Sequence, residues 1–484
     1  MTNTPITTFV DDDAVVRRLY AYGRWKLETV AHFGGDETGV ADMCLLRDAE
    51  GKPFIPGASI TGVARSLLAR QSQPWTDYKD GKETQELKDF FGGAGKDDTM
   101  SALIVADASC VSEQVMVSIR DGVRVDTQSG SAADKAKFDV EVLEPGTEFE
   151  VSVECVIRAG DNQSKFEKLF FVLLHIFQQG EVHLGARTRR GYGRGKVASW
   201  EIRDLQMNSP KDIAAWLSDE PWARPKSALG PRALPADQRC HFCIDAHFNL
   251  HTSLLIRSVS ADPDAPDMVP LSSNAEPVVP GTSFAGAFRH RAALIANILG
   301  WHDRALDEMF GPVHEQQRAN QQSELWASRV WIEEHLVENV KEHWQDRVAI
   351  DRFTGGSLQS ALFNEKPVYP ISMAEESTSN VRLILSLEEP EKAEIGLLLL
   401  TLRDFWHGHT ALGGETSIGR GTLSGIKAQV WFKDSDAPDA NIWNFSHQDE
   451  CMTLDGDDTA FIECCIKEAQ DYSGFPAGSR RPDK

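Results

Sequence analysis

Residues 24–33 alternate along the chain. Trp25, Leu27, Thr29 and Ala31 fall on one side, and Lys26, Glu28, Val30 and His32 on the other. A period of two predicts a strand, closed at Gly34-Gly35 where the backbone can turn tightly. Residues 240–250 repeat the pattern, with Phe242, Ile244, Ala246 and Phe248 opposed to Cys243, Asp245 and His247. A loop follows each strand, and then the spacing turns helical: Ile60, Val63, Ala64, Leu67 and Leu68 after the first, Phe284, Ala287, Phe288, Ala292, Ile295 and Leu299 after the second. Ser59 is the expected N-cap of the first helix. Residues 166–177 and 395–406 are apolar almost throughout and predict two buried helices, each followed by a glycine-rich loop and a strand-like segment. Residues 116–138 and 347–363 show little periodicity. Loops of that length inside a compact domain are often functional; a protruding hairpin with no role is the plain alternative.

The two series are one series repeated. Ile55-Pro56-Gly57-Ala58-Ser59-Ile60-Thr61-Gly62 answers Val279-Pro280-Gly281-Thr282-Ser283-Phe284-Ala285-Gly286. Each is preceded by an aspartate, in Ala41-Asp42-Met43 and Pro266-Asp267-Met268, and followed by an arginine, Arg65 and Arg289. Downstream, Phe91-Gly92 answers Phe310-Gly311, Val125-Asp126 answers Ile350-Asp351, and Gly193-Arg194-Gly195 answers Gly419-Arg420-Gly421. The shift is 224 residues at the first proline, 219 at Phe-Gly, 225 at the later aspartate and 226 at Gly-Arg-Gly. A shift that constant indicates a duplicated domain. The expected organisation is a first domain at 1–207, a proline-rich linker at 208–238, a second domain at 239–433 and an acidic, then basic, tail at 434–484. The order strand, helix, strands, helix, strand is that of a ferredoxin-like α+β domain.

Composition narrows the function. Hydrophobic residues make up 41% of 484, enough for two cores. No apolar run reaches the length of a membrane span, and residues 1–13 end in three aspartates without the core of a signal peptide, so a cytoplasmic protein is expected. The eight scattered cysteines are then expected to be reduced thiols. Cys240 and Cys243 form a lone CxxC without a second ligand pair and read as strand residues. The net charge of −23 argues against non-specific nucleic-acid binding, so any RNA contact has to come from local basic clusters.

Such a cluster exists. Residues 185–195 hold Arg187, Arg189, Arg190 and Arg194 among four glycines, with Tyr192 between them. Glycine admits close backbone approach, arginine binds phosphate in a bidentate fork, and tyrosine can stack on a base. The loop is not a Walker A sequence, since Val197 follows Gly195-Lys196. Its counterpart at 413–421 keeps only Arg420 and is read as two residues shorter, with Arg289 and Arg291 on the preceding helix as substitutes. Ser59 and Ser283 at the helix starts, and Arg124 and Arg352 in the aperiodic insertions, complete the candidate RNA-binding set.

The Ile-Pro-Gly-x-Ser-x-x-Gly-x-x-Arg pattern at 55–65, together with the Gly-Arg-Gly-rich loop at 185–195, resembles the RAMP superfamily of CRISPR-associated proteins. Gly34-Gly35, Ala41-Asp42, Leu46-Arg47-Asp48 and Ile55-Pro56-Gly57 look like the backbone subunit of type III (Csm/Cmr-like) effector complexes. Both copies match, which resembles a tandem, type III-D-like fusion over 24–200 and 239–427. The resemblance implies ferredoxin-like palms along a guide CRISPR RNA and protruding thumbs, matched by 116–138 and 347–363, that wedge into the guide–target duplex. It also implies a loop aspartate that cuts complementary target RNA, matched by Asp42 and Asp267. Other RAMP-type subunits and a large signalling or polymerase-like subunit are the implied partners.

The chemistry agrees with this on general grounds. RNA carries its own nucleophile in the 2′-hydroxyl, and alignment at an unstacked step supplies much of the acceleration. A carboxylate can take the proton or hold a divalent cation. A single aspartate without a carboxylate cluster implies loosely held Mg²⁺ or Mn²⁺ keeping its waters. Two alternatives stand beside target cleavage. One is a scaffold in which the aspartates only shape their loops. The other is a guide-processing ribonuclease using His32, His183, His407 or His409.

Overall fold

The computed structural model describes residues 12–35, 41–73, 77–78, 81–93, 100–125, 132–218, 239–260, 264–312, 327–371, 380–434, 439–448, 451–456 and 459–472. The chain divides into two compact units. One comprises residues 1–118, 142–186 and 193–238; the other comprises 119–141, 187–192 and 239–484. Both are α+β, built on antiparallel sheets.

In chain order the first repeat contains β1 (Val15–Leu27), β2 (Phe54–Ile55), α1 (Gly57–Ser72), α2 (Gln85–Phe91), β3 (Leu103–Val105), β4 (Ala108–Cys110), β5 (Val117–Val125), β6 (Ala132–Leu143), β7 (Glu148–Arg158), α3 (Gln163–Gln179), β8 (Gly195–Gln206) and α4 (Pro210–Leu217). The main sheet has the order β2-β4-β7-β1-β8, with β3 also on β7. Central β1 buries Leu19, Ala21, Trp25 and Leu27 on one face, against Phe166, Phe170, Leu173 and Phe177 of α3 and Ile60, Ala64, Leu67 and Leu68 of α1. This is the alternation expected of a half-buried strand meeting helical apolar stripes.

The second repeat contains β9 (His241–Leu250), β10 (Arg257–Ser258), β11 (Val269–Pro270), β12 (Ser272–Ser273), β13 (Glu276–Val279), α5 (Gly281–Leu299), α6 (Asp303–Phe310), β14 (Val330–Ile332), β15 (His335–Leu336), β16 (Val340–Glu342), β17 (Gln345–Ile350), β18 (Ser357–Glu365), β19 (Val368–Pro370), β20 (Val381–Glu388), α7 (Lys392–Trp406), β21 (Leu423–Lys433), β22 (Asn441–Gln448), β23 (Cys451–Asp455) and α8 (Ala460–Gln470). Its sheet runs β14-β20-β9-β21-β22-β23. Phe242, Ile244, Ala246 and Phe248 of β9 pack in one core with Phe284 and Phe288 of α5 and with Leu398, Leu402 and Phe405 of α7.

Several expectations are corrected. The first strand spans 15–27, not 24–33, because its ladders with β7 and β8 end at Lys26 and Leu27; beyond them Ala31 and Gly34 make isolated bridges, to Leu143 and Leu45. Ser59 is not an N-cap. α1 starts at Gly57 with Pro56 in the cap position and no side-chain cap, and α5 starts at Gly281 behind Pro280 in the same way. The cap of α1 comes from far away: Gly57 N–H donates to Asp107 Oδ1 at 2.7 Å. Both glycines are sterically required, since a Cβ at Gly57 would lie 2.3 Å from the Val105 carbonyl oxygen and one at Gly281 2.3 Å from those of Arg190 and Ile332. The aperiodic insertions contain two-stranded hairpins, β5–β6 and β17–β18. The 434–484 stretch holds β22 and β23, which extend the sheet, and α8, which packs so closely on α7 that a Cβ at Gly396 would meet the Cys465 carbonyl oxygen at 2.1 Å. The 208–238 stretch begins with α4, capped by the Ser209 side chain ahead of Pro210; residues 219–238 lie outside the described residues.

Candidate functional site

Asp42 and Asp267 occupy equivalent, solvent-facing loop positions, each beside a buried anchor, Ala41 and Pro266. The first loop is strapped to the chain following β1: Gly35 N–H donates to the Cys44 carbonyl at 2.9 Å and Leu46 N–H to Phe33 at 2.8 Å. Gly35 leaves no room for a side chain there, a Cβ lying 2.7 Å from the Leu45 carbonyl oxygen. Arg47, a candidate to offset phosphate charge, instead donates to the Gly51 carbonyl at 3.3 Å within the next turn. The second loop is tied to β18. Met268 bridges Glu365, and Lys366 N–H donates to the Met268 carbonyl at 2.9 Å. Asp267 N–H donates to Asn364 Oδ1 at 2.7 Å, and Asn364 N–H returns a bond to Asp267 Oδ2 at 3.1 Å.

The glycine-rich loops prove equal in length, correcting the expectation of a two-residue deletion. Arg187 and Glu415 both take left-handed backbone conformations, a single 3₁₀ turn follows each, at Thr188–Arg190 and Thr416–Ile418, and Gly191 and Gly419 close them. Leu184 N–H meets the Gly193 carbonyl as Leu412 N–H meets that of Gly421. In this register Arg420 corresponds to Tyr192, not Arg194. Both side chains are 3% exposed, so neither is offered to a base or phosphate. Tyr192 packs under the Arg120 guanidinium at 5.7 Å. Arg420 donates to Gln345 at 2.8 Å and pairs with Glu365 and Glu415. Gln345 stands 225 residues after Arg120. The pair is thus reversed between the repeats, Arg–Tyr in one and Gln–Arg in the other.

The remaining loop arginines have partners within the chain. Arg187 lies over the Phe138 ring at 4.6 Å, Arg189 bonds Glu388 at 2.8 Å and lies over Trp331 at 3.9 Å, and Arg194 bonds Glu28 at 3.2 Å. Arg190 donates to the Phe310 carbonyl at 3.1 Å. Burial, ahead of the neighbouring Arg289 and Arg189 charges, pushes its guanidinium down to about 10.

The helix arginines also turn inward, in the same way in both copies. Arg65 bonds Glu83, at 2.6 Å through Nε, and Arg289 bonds Asp307 at 2.6 Å and the Gly311 carbonyl at 2.6 Å. Glu83 and Asp307 are 224 residues apart, as are Arg65 and Arg289, so the recurring carboxylate at constant shift is a sequence signal that could have found this pair. Arg291, the other proposed substitute, bonds Asp404 at 2.6 Å. Ser59 is exposed and Ser283 half-buried, each in the first turn of its helix. Arg352 is exposed in the turn of the β17–β18 hairpin, where Asp351 caps the Phe353 and Thr354 N–H groups and is thereby held below the usual carboxylate range. Arg124 lies on β5 by its backbone, and its side chain and Asp126 are outside the described residues.

Sequence reasoning missed a charged network beneath the second loop. Glu365, 1% exposed, takes Arg420 and Arg347, and Glu415 takes Arg420, Arg347 and Arg257. Its members come from four separated stretches, so no local pattern announces it. Of the histidines weighed for acid–base work, His32 is 4% exposed, and His407 and His409 sit together at the end of α7 with rings 6.0 Å apart. Burial, then Arg403, lowers the His407 imidazole below its usual value. Cys243 is buried on β9, its thiol pushed up to about 12 by burial. Among the described residues no three His, Cys, Asp or Glu side chains group as a metal cage, and no helix is long and apolar enough to cross a membrane.

Comparison with known proteins now adds the family. The chain is 27% identical over 204 residues to the CRISPR system Cms endoribonuclease Csm3 of Methanocaldococcus jannaschii, covering 38% of this chain and 77% of that relative. The family model of the RAMP superfamily matches twice, at residues 26–196 and 247–424, each match holding one aspartate loop, one Pro-Gly helix start and one glycine-rich loop. With most of its length so matched, this chain is a member of the RAMP superfamily carrying two copies of the domain in tandem.

Proposed function

We propose that this protein is a guide-RNA-binding backbone subunit of a type III CRISPR effector complex, cytoplasmic, that cleaves complementary target RNA at two positions, one per repeat. The observation that carries the reading is the doubled RAMP match with a solvent-facing aspartate at the same place in each copy. The similarity over 204 residues to a relative named an endoribonuclease supports the cleavage. The strand order β4-β7-β1-β8, with α1 and α3 on one face, supports a ferredoxin-like palm, and the β5–β6 and β17–β18 hairpins suit the thumbs.

Asp42 and Asp267 act as general bases toward the 2′-hydroxyl of a target nucleotide held in line with its own phosphate. Alignment contributes most and proton removal about 10²–10⁴-fold. Asp267 offers one oxygen for this, Oδ2 being occupied by Asn364 N–H. A divalent ion, Mg²⁺ or Mn²⁺, would be held by the Asp42 and Asp267 carboxylates and would supply charge stabilisation at the reacting phosphate. Exposed Ser59 and Arg352 are the backbone contacts, alongside neighbouring RAMP-type subunits and a large polymerase-like subunit.

The scaffold reading has its own support, because the reciprocal bonds between Asp267 and Asn364 are what a loop-shaping aspartate makes. Cleavage of end-labelled target RNA by the reconstituted complex decides between them. Asp42→Ala and Asp267→Ala should each remove one product band with guide and target binding kept, and EDTA should remove both. An unchanged band pattern makes the chain a scaffold.

A further inference from the structure

We infer that Asn364 is the positioning residue of the second site; this rests on the cleavage reading above and names what aims its aspartate. Two bonds hold Asp267 to Asn364, one to its side chain and one to its backbone. Together they tie both the backbone and the carboxylate of Asp267 to the strand, and Oδ1 takes part in neither bond. A lone exposed aspartate samples several rotamers, and a general base must be within hydrogen-bond reach of its proton.

The platform beneath Asn364 is rigid. Its neighbour Glu365 is almost wholly buried, held by Arg420 from the glycine-rich loop and by Arg347 at 2.6 Å from the opposite hairpin strand. Met268 is stitched to the same strand on both sides, to Asn364 and Lys366. The hairpin, the glycine-rich loop and the aspartate loop therefore meet at two consecutive residues, Asn364 and Glu365. Displacing the strand moves Asp267.

The first repeat has no asparagine here. Ala31 bridges Leu143 as Leu254 bridges Val368, which places Asp139 at the position of Asn364. The Asp139 carboxyl is engaged by that of Asp121 and is raised above its ordinary range for that reason. A change at Asn364 should therefore spare the first site.

The test uses the complete guide-loaded complex and follows the two product bands separately as a function of pH. Asn364→Ala removes the acceptor for Asp267 N–H; the second product should form about 10–100-fold more slowly, the scale of a slight misplacement, with the first product and target affinity unchanged. Asn364→Asp restores the acceptor but sets a second carboxylate beside Asp267, raising its pKa. Second-product formation should recover relative to alanine, with its acid limb moved to higher pH. If Asp267→Ala removes the second band while Asn364→Ala leaves its rate unchanged, the positioning role is wrong and the cleavage reading stands. Equal slowing in both Asn364 variants with no pH displacement reduces Asn364 to a fold residue. Survival of the second band in Asp267→Ala overturns the cleavage reading itself, and this inference with it.

Discussion

Arg289 offers a direct contest between two roles. By sequence it is an RNA ligand on a helix start; by structure it is a tie between α5 and the end of α6. Arg289→Ala removes two bonds of 2.6 Å, one to the Asp307 carboxylate and one to the Gly311 carbonyl. Hydrogen bonds to charged groups are worth about 1.5–3 kcal/mol each when well shielded. The arginine side chain is 25% exposed and the aspartate 16%, so solvent screening brings the pair down toward about 1–2 kcal/mol in total. That is roughly a 5–30-fold change in a local opening equilibrium. Hydrogen exchange of the RNA-free chain reads it directly, because amides in 303–311 should lose protection by that factor in Arg289→Ala. Asp307→Ala should lose a similar amount, and the double variant little more than either alone. Wild-type protection in Arg289→Ala, together with a loss of RNA affinity that steepens at low salt, would refute the structural role and restore the arginine to the RNA.

Two further outcomes are expected from the same structure. Asp139 carries a raised carboxyl pKa because it faces Asp121. The folded state therefore holds that proton more tightly than the unfolded one, and this contribution is full at low pH and lost as pH rises through the raised value. Asp139→Asn should flatten the rise in stability of residues 119–141 on acidification, as followed by pH-dependent exchange; an unaltered profile would mean the two carboxylates do not interact. Gly281→Ala forces a methyl against two carbonyl oxygens at 2.3 Å and should cost about 1–3 kcal/mol. Gly286→Ala, on the same helix with nothing within 4 Å, should gain about 0.5–1 kcal/mol. Thermal melts of both variants that move alike would contradict the packing.

The hydrophobic pattern carried the scaffold because burial is what it encodes. Phe242, Ile244, Ala246 and Phe248 face the core as their alternation requires, and the apolar runs at 166–177 and 395–406 lie within α3 and α7. The constant shift likewise located equivalent aspartates. Polar roles were harder to see, since a charge finds its partner through the fold. Arg420 looks basic and exposed in sequence but is buried against Glu365, 55 residues earlier. Tyr192 looks like a stacking ring but lies inside. The C-terminal elements were hidden by acidic composition, although Ile462, Cys465 and Ala469 have helical spacing and are all buried. The caps from Asp107 and Asn364 come from 50 and 97 residues away, beyond any local signal.

The second compact unit takes residues 119–141 and 187–192 from the first repeat. Among them Arg120 pairs with Glu334, both nearly inaccessible to solvent, and Arg190 bonds the end of α6. The duplication has therefore stopped being modular. A second repeat made alone, as residues 239–484, would lack these segments and leave the Glu334 carboxylate without its counter-charge, a loss of about 3–5 kcal/mol. The second repeat is therefore completed by strands and a loop that the first repeat encodes.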